Sequence, residues 1–406
     1  MKRVSMVFVV LLAWGCEKSG DCVVLCHDAS VSDGGVVVPD ASPADGGVES
    51  GVDAWVDAGD PDAAAADAGE LDSGTPVPAT RVVELSLGAE HACALLDNGE
   101  AWCWGGGTEG QLGDGSLGDS TSPVRVPLSG LRDIDAGRDF TCATDGAEVY
   151  CWGLDRMSRL GWRADSEIEA LPVEVPFDPP VPPSWVSVAV GDENACATGD
   201  DRSVSCWGLF AGETSGSGTR RALGSADLDL GDQYGCHVLE RNVSCWGIGP
   251  AARGGNRGWG WGALLAAGND HACTLGGGRL LQCWGRNNRG QVTGLPTADE
   301  FTEPQTASSA NEFIDIGAGS ISCALRADMT GALCWGTSLD GRLSYHREIL
   351  PGTENAIRVR IGDDFACILM SDEREIRCWG ANERGQLGRA APGFDGAPMP
   401  VVGLPL

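Results

Sequence analysis

Lysine is almost missing from this chain. Only Lys2 and Lys18 carry it, every later basic residue is Arg, and 58 Asp and Glu face 28 Lys and Arg for a formal charge of −30. Phosphate binding needs cations that displace counterions, so nucleic acid is not an expected partner. An anionic membrane surface is disfavoured on the same ground. The 17 cysteines include no C-x-x-C pair, which removes the usual zinc-knuckle spacing. Histidine is scarce, with His27, His91, His237, His271 and His346 alone, so no metal site is expected. No nucleophile elbow or other catalytic motif occurs, and no catalytic residue or cofactor is assigned. The one sustained apolar run, Val4 to Ala13, is too short to cross a bilayer as a helix.

What is abundant points elsewhere. Sixty glycines accompany an ordinary hydrophobic content of 42%, a combination that suits many short strands and turns around a real core. So many cysteines without metal-binding spacing suit an oxidising compartment. The start of the chain agrees with export. Lys2 and Arg3 precede the apolar run, and Ala13-Trp14-Gly15-Cys16 resembles a bacterial lipoprotein signal, which implies acylation of Cys16. A plain secretion signal is the alternative, since Leu is usual where Ala13 stands and Trp14 is bulky. The expected location is the outer membrane, cell surface or periplasm, with a lipid anchor.

Three regions follow: a leader over 1–15, a linker over 16–80 and a repeat region over 81–406. The linker has no Lys or Arg between Lys18 and Arg81 and is dominated by Asp, Ala, Gly, Val and Pro. Like-charge repulsion and few large apolar side chains oppose a packed core, so an extended, disordered tether is expected. Asp57, Asp60 and Asp62 do not make a calcium loop, because Ala64 interrupts the ligand order. Cys22 and Cys26 are left with pairings that the sequence does not define.

From Arg81 the chain repeats. Cys-Trp-Gly begins at Cys103, Cys151, Cys206, Cys245, Cys283, Cys334 and Cys378. A partner stands upstream of each, at Cys93, Cys142, Cys196, Cys236, Cys273, Cys323 and Cys367. Five residues before the upstream Cys lies a glycine (Gly88, Gly137, Gly191, Gly231, Gly268, Gly362), except in the sixth unit, where Ala318 takes that place beside Gly317. In the first unit Val82 to Leu87 reads as a strand and His91 to Leu96 as a second. Asp97-Asn98-Gly99 is a hairpin loop, Glu100 to Gly105 a third strand, and Pro123 to Val126 a fourth. Four strands per unit and seven units predict an all-β, seven-bladed β-propeller of antiparallel blades.

Cysteines opposed across a hairpin lie within disulfide range, so each blade is expected to carry its own bridge. Free buried thiols, or bridges between blades, are the alternatives. The repeated Trp after each second Cys faces away from it and is read as inter-blade packing rather than ligand stacking. His91 and His271 share one repeat place and are read as structural.

The pattern of Gly, then H-x-C-A-L, then W-G, then G-x-N-x-x-G-Q-L-G resembles the regulator-of-chromosome-condensation repeat family. Gly380 to Gly388 shows the last motif in full, and Gly285 to Gln291 in part. The resemblance implies a seven-bladed propeller whose sequence repeat is offset from the blade. Pro400-Val401-Val402 looks like Pro123 to Val126 and would complete a blade with strands from near Arg81, closing the ring. Family members bind chromatin and act on a small GTPase. An exported, acidic propeller would meet neither, so a small GTPase is not expected as partner. The leading expectation is a non-enzymatic lipoprotein that binds an unknown protein or glycan, with Trp162, Trp259 and Trp261 as candidate contacts. A propeller hydrolase or lyase acting on polysaccharide, or a purely structural envelope component, are the alternatives.

Overall fold

The computed structural model describes residues 80–406, apart from 162–166, 178–181, 183, 211–212, 222–226, 240–241, 254–255, 259–263, 277–279, 309–312 and 391–392. The leader, the linker, Cys16, Cys22 and Cys26 lie outside the described residues. The described residues belong to one compact unit.

Twenty-eight strands form seven four-stranded antiparallel sheets in simple up-and-down order. Blade 1 holds β1 (Val82–Leu87), β2 (His91–Leu96), β3 (Ala101–Gly105) and β4 (Ser120–Arg125). Blade 2 runs from β5 (Asp133–Ala136) to β8 (Ile168–Glu174), and blade 3 from β9 (Trp185–Val190) to β12 (Glu213–Arg221). Blade 4 spans β13 (Asp227–Leu230) to β16 (Asn256–Gly258), and blade 5 spans β17 (Leu264–Ala267) to β20 (Glu300–Ser308). Blade 6 is β21 (Phe313–Ala318) to β24 (Ser344–Leu350), and blade 7 is β25 (Ala356–Ile361) to β28 (Phe394–Pro400). The first strand of every blade lines the axis, and the fourth lies outermost.

Burial follows this order. Middle strands such as His91–Leu96 and Phe365–Met370 are buried along their whole length, because each faces a neighbouring blade on both sides. The fourth strands are more open: in blade 1 Pro123 is buried while Thr121, Ser122 and Arg125 are exposed. Apolar clusters sit between blades: Val82, Leu85 and Leu87 of blade 1 pack with Phe365, Leu369 and Ile376 of blade 7.

The second and third strands of each blade carry its cysteines in directly opposed register, from Cys93 opposite Cys103 to Cys367 opposite Cys378. Seven disulfides join them, with Cα atoms 4.0 Å apart in blade 3 and 4.1 Å apart in blade 1. All lie within one blade.

Two expectations need correction. The sixth unit keeps its collar glycine, but at Gly319, one residue later than Ala318. The constraint is a contact across blades and is not set by distance from the cysteine. Nor does the C-terminus complete the first blade. Pro400 pairs with Arg377 of its own blade, and all four strands of blade 1 are contiguous. The ring is closed by side chains and loops instead. Val82 N donates to Glu373 O at 2.7 Å, and the Trp104 indole donates to Gln386 O at 3.0 Å. Arg358 and Arg360 both reach Glu84, at 3.0 and 3.2 Å.

Between blades, an inner-strand carboxylate of one blade accepts a backbone N–H from the first strand of the next. Asp133 takes Val188 N at 2.9 Å, Asp135 takes Val190 N at 2.7 Å, Asp229 takes Ala267 N at 3.0 Å and Asp315 takes Val359 N at 2.8 Å. First strands diverge from one blade to the next and cannot pair, so their edge N–H groups need another acceptor. Part of the acidic excess is spent here.

Candidate functional site

One end of the axial channel is pinched by seven glycines in a closed cycle. A Cβ built on Gly88 would stand 2.1 Å from Gly137 O, one on Gly137 2.2 Å from Gly191 O, and one on Gly191 2.2 Å from Gly231 O. Gly231 faces Gly268 O, Gly268 faces Gly319 O, Gly319 faces Gly362 O, and Gly362 returns to Gly88 O at 2.6 Å. The cycle fixes the blade count at seven. It also brings the two residues after each collar glycine to the channel mouth. The channel itself has a volume of about 170 Å³.

The mouth is acidic for that reason. Asp192, Asp232 and Asp363 follow collar glycines directly, and Glu90, Asp139, Glu193, Asp270 and Asp364 come next in the chain. These carboxylates are scattered in the sequence, yet the fold collects them. Arg138 lies among them, ion-paired with Asp192 and, at 3.3 Å, with Asp363. Asn269 Nδ2 donates to the other oxygen of Asp363 at 2.8 Å. Further out, Arg159 bridges Glu193 at 3.3 Å and Asp139 at 3.9 Å, and Arg384 bridges Asp119 at 3.2 Å and Glu90 at 3.4 Å.

Crowding carboxylates away from water raises their pKa values. Burial pushes Asp192 up to about 7 against the pull of Arg138, with Asp363 and Asp232 adding to the rise. Burial likewise raises Asp364 to about 6. Glu90, Asp139 and Asp232 move upward for the same first cause. The mouth therefore gains negative charge between about pH 6 and 8. Among the described residues no group of three or more His, Cys, Asp or Glu is placed to hold a metal ion.

Six of the seven repeated Trp residues, Trp104, Trp152, Trp207, Trp284, Trp335 and Trp379, are buried between blades, and Trp246 is half-buried. His91 and His271 are also inter-blade groups. His91 Nε2 lies 2.8 Å from Thr141 Oγ1, and His271 Nε2 lies 2.7 Å from Ser322 Oγ. Burial lowers both pKa values to about 3. Below pH 6.5 the unfolded chain binds a proton at each site that the folded ring refuses until about pH 3, so acid removes stability in that window. The His91→Phe variant copies Phe140 and Phe365, which hold the same place in blades 2 and 7. Its stability relative to the parent is expected to rise by about 1.4 kcal/mol for each pH unit of acidification within that window. Denaturant midpoints at several pH values check this; parallel pH profiles would refute it. Trp162, Trp259 and Trp261 lie outside the described residues. The acidic mouth was missed because its signal is a position, two residues after each collar glycine, and not a motif.

Residues 82–111 and 357–386 match the Regulator of chromosome condensation (RCC1) repeat, as do residues 98–144. Over these segments the chain resembles RCC1-repeat proteins, and its fold is a β-propeller. The match over 98–144 starts in the hairpin of blade 1 and ends on β6 of blade 2, so the sequence repeat is offset from the blade. The ultraviolet-B receptor UVR8 of Arabidopsis thaliana is 25% identical over 327 residues, covering 77% of this chain and 68% of that protein. The E3 ubiquitin-protein ligase HERC2 of Homo sapiens is 25% identical over 289 residues, which cover 68% of this chain and only 5% of HERC2. Among solved structures, human WBSCR16 superposes with a TM-score of 0.66 at 18% identity, covering 75% of this chain and 94% of that one.

Two further expectations fall here. Prp20p of Saccharomyces cerevisiae, a matching propeller with a TM-score of 0.46 and 19% identity, is described with its binding to Gsp1p and histones. Gsp1p is a small GTPase, so the expectation that a small GTPase is not a partner of this chain is withdrawn. The expected export, outer-membrane location and lipid anchor are corrected as well, since HERC2, which matches this chain, is a nuclear or cytoplasmic protein. Both expectations rested on cysteine count, acidity and the N-terminal segment, none of which names a partner or an address.

Proposed function

We propose that this propeller is a non-enzymatic scaffold that binds a protein partner, presenting a basic surface, at the collar end of the ring. The acidic mouth carries the reading: a rigid ring of carboxylates around a narrow channel attracts and orients cationic side chains. The rigidity comes from the disulfide-pinned blades, so little order has to be created on binding. A glycan remains the second partner class, but an uncharged glycan would gain nothing from this charge.

The test compares two double variants of the full chain. Asp192→Asn with Asp363→Asn neutralises the mouth. Asp97→Asn with Glu373→Gln removes equal charge at the opposite end, where Glu373 pairs with Arg81. For a partner isolated from extract and then purified, the mouth variant is expected to lose at least about tenfold in affinity and to flatten its salt dependence. The control should bind as the parent does. Parent binding should also weaken as pH falls from 8 to 6, because Asp192 and then Asp364 take up protons. Equal losses in both variants, or salt-independent binding, would reject an acidic docking face.

A further inference from the structure

Six blades make the same turn between their first and second strands. The collar glycine N–H donates to the carbonyl three residues on, as from Gly88 to His91 at 2.8 Å and from Gly362 to Phe365 at 2.9 Å. The residue before that acceptor is Glu90, Asp139, Glu193, Gln233, Asp270 or Asp364. Its own carbonyl accepts from the N–H that follows Cys-Trp-Gly: Gly106 N donates to Glu90 O at 2.8 Å, and Arg286 N to Asp270 O at 3.0 Å. In blade 6 the turn is one residue shorter. Gly319 N donates to Ile321 O at 3.0 Å, and the acid position is gone. Thr337 N takes Arg289 O instead, at 2.9 Å, from the loop between the third and fourth strands of blade 5. The residue supplying that carbonyl is thus a cation where five other blades use an acid.

A cavity of about 50 Å³ lies beside this turn, and Asn269, Asp270, Arg286, Asn288, Arg289 and Ser320 are among the residues that line it. Ser320 is 4% exposed, and its Oγ is buried without a hydrogen-bond partner among the described residues. A buried hydroxyl left so is costly unless something accepts from it. The Arg289 guanidinium has neither hydrogen bond nor ion pair among the described residues, while Arg286 meets Asp270 at 3.4 Å. Two guanidiniums against one carboxylate leave the cavity a positive charge in excess.

We infer that this cavity takes a carboxylate, an Asp or Glu side chain of the protein that docks on the mouth. Arg289 supplies the charge and Ser320 Oγ donates a hydrogen bond. The small volume, with Asp270 alongside, admits a planar monoanion in preference to a phosphate dianion. Elsewhere on the acidic mouth a carboxylate is repelled. This one place therefore breaks the near-sevenfold symmetry of the ring and fixes the rotational register of the partner. The register rests on the mouth being the docking face; carboxylate binding does not.

The test follows the backbone amide signals of residue 320 and Thr337 in nitrogen-15 spectra of the full chain, at constant ionic strength in chloride. Acetate should shift both saturably with a dissociation constant on the order of 10 mM, within what four heavy atoms can supply. N-acetyl-aspartate N-methylamide, which carries the group as a peptide side chain does, should bind within about threefold of acetate. Arg289→Gln keeps the backbone carbonyl that Thr337 uses, and should weaken both probes at least about fivefold; Ser320→Ala should weaken them about threefold. Asp192→Asn with Asp363→Asn should leave acetate binding intact. A docking mouth that fails while acetate still binds is thereby told apart from a failed carboxylate site. Unmoved signals, unchanged affinity in Arg289→Gln, tighter binding of inorganic phosphate than of acetate, or binding of acetate without the aspartate amide would each overturn the inference.

Discussion

Gly137→Ala is expected to destabilise the ring by at least about 3 kcal/mol, or to prevent its closure. The added methyl would stand 2.2 Å from Gly191 O and 2.7 Å from Val190 Cγ1, both on the next blade. The nearer atom is backbone, and its blade is held in turn by the following collar glycine, so relief at one junction pushes on the next. Gly137 does not need an unusual φ, which separates this cost from backbone strain. Gly118→Ala is the matching control, because nothing lies within 4 Å of its Cβ position on the exposed loop of blade 1. That change should be neutral or slightly stabilising, through loss of unfolded-state freedom. Urea midpoints of the two variants measure the contrast. Equal shifts would mean that the collar is not a close-packed constraint.

Reduction of the disulfides is expected to have the other large effect. Each bridge closes a loop of nine to eleven residues, from Cys142–Cys151 to Cys367–Cys378, and by chain entropy stabilises by roughly 2–3 kcal/mol. Seven losses of that size together are comparable to the whole ~5–15 kcal/mol that holds a typical domain folded. The reduced ring should therefore unfold at denaturant concentrations that leave the oxidised ring intact. Replacing single pairs by Ala should give separate, additive losses for distant blades such as 2 and 5. A reduced protein that keeps the oxidised midpoint would show that the bridges are not what holds the blades.

Much of this architecture is legible in the chain itself, and the reasons are local. Alternation over Val82 to Leu87, the Asp97-Asn98-Gly99 turn and the recurring Cys-Trp-Gly all act within one hairpin. The misreadings arose where a contact joins distant residues. Ala318 appeared to break the glycine rule because the rule was measured along the chain, while the collar is measured across blades. Pro400-Val401-Val402 resembles Pro123 to Val126 because both follow fourth-strand geometry, which is silent about which blade they complete.

The acid excess divides in the same way. Composition shows the excess, but only the ring separates Asp133, Asp135, Asp229 and Asp315, which hold neighbouring strands, from Asp192, Asp232 and Asp363, which face the mouth.

Pairing of the second and third strands in each blade and the opposition of each cysteine pair were thus determined by the sequence, because each depends on residues about ten apart or fewer. How the ring shuts and where its carboxylates gather were decided by the tertiary structure. Those outcomes depend on contacts between blades, whose partners stand some forty to nearly three hundred residues away, from Gly191 and Gly231 to Trp104 and Gln386.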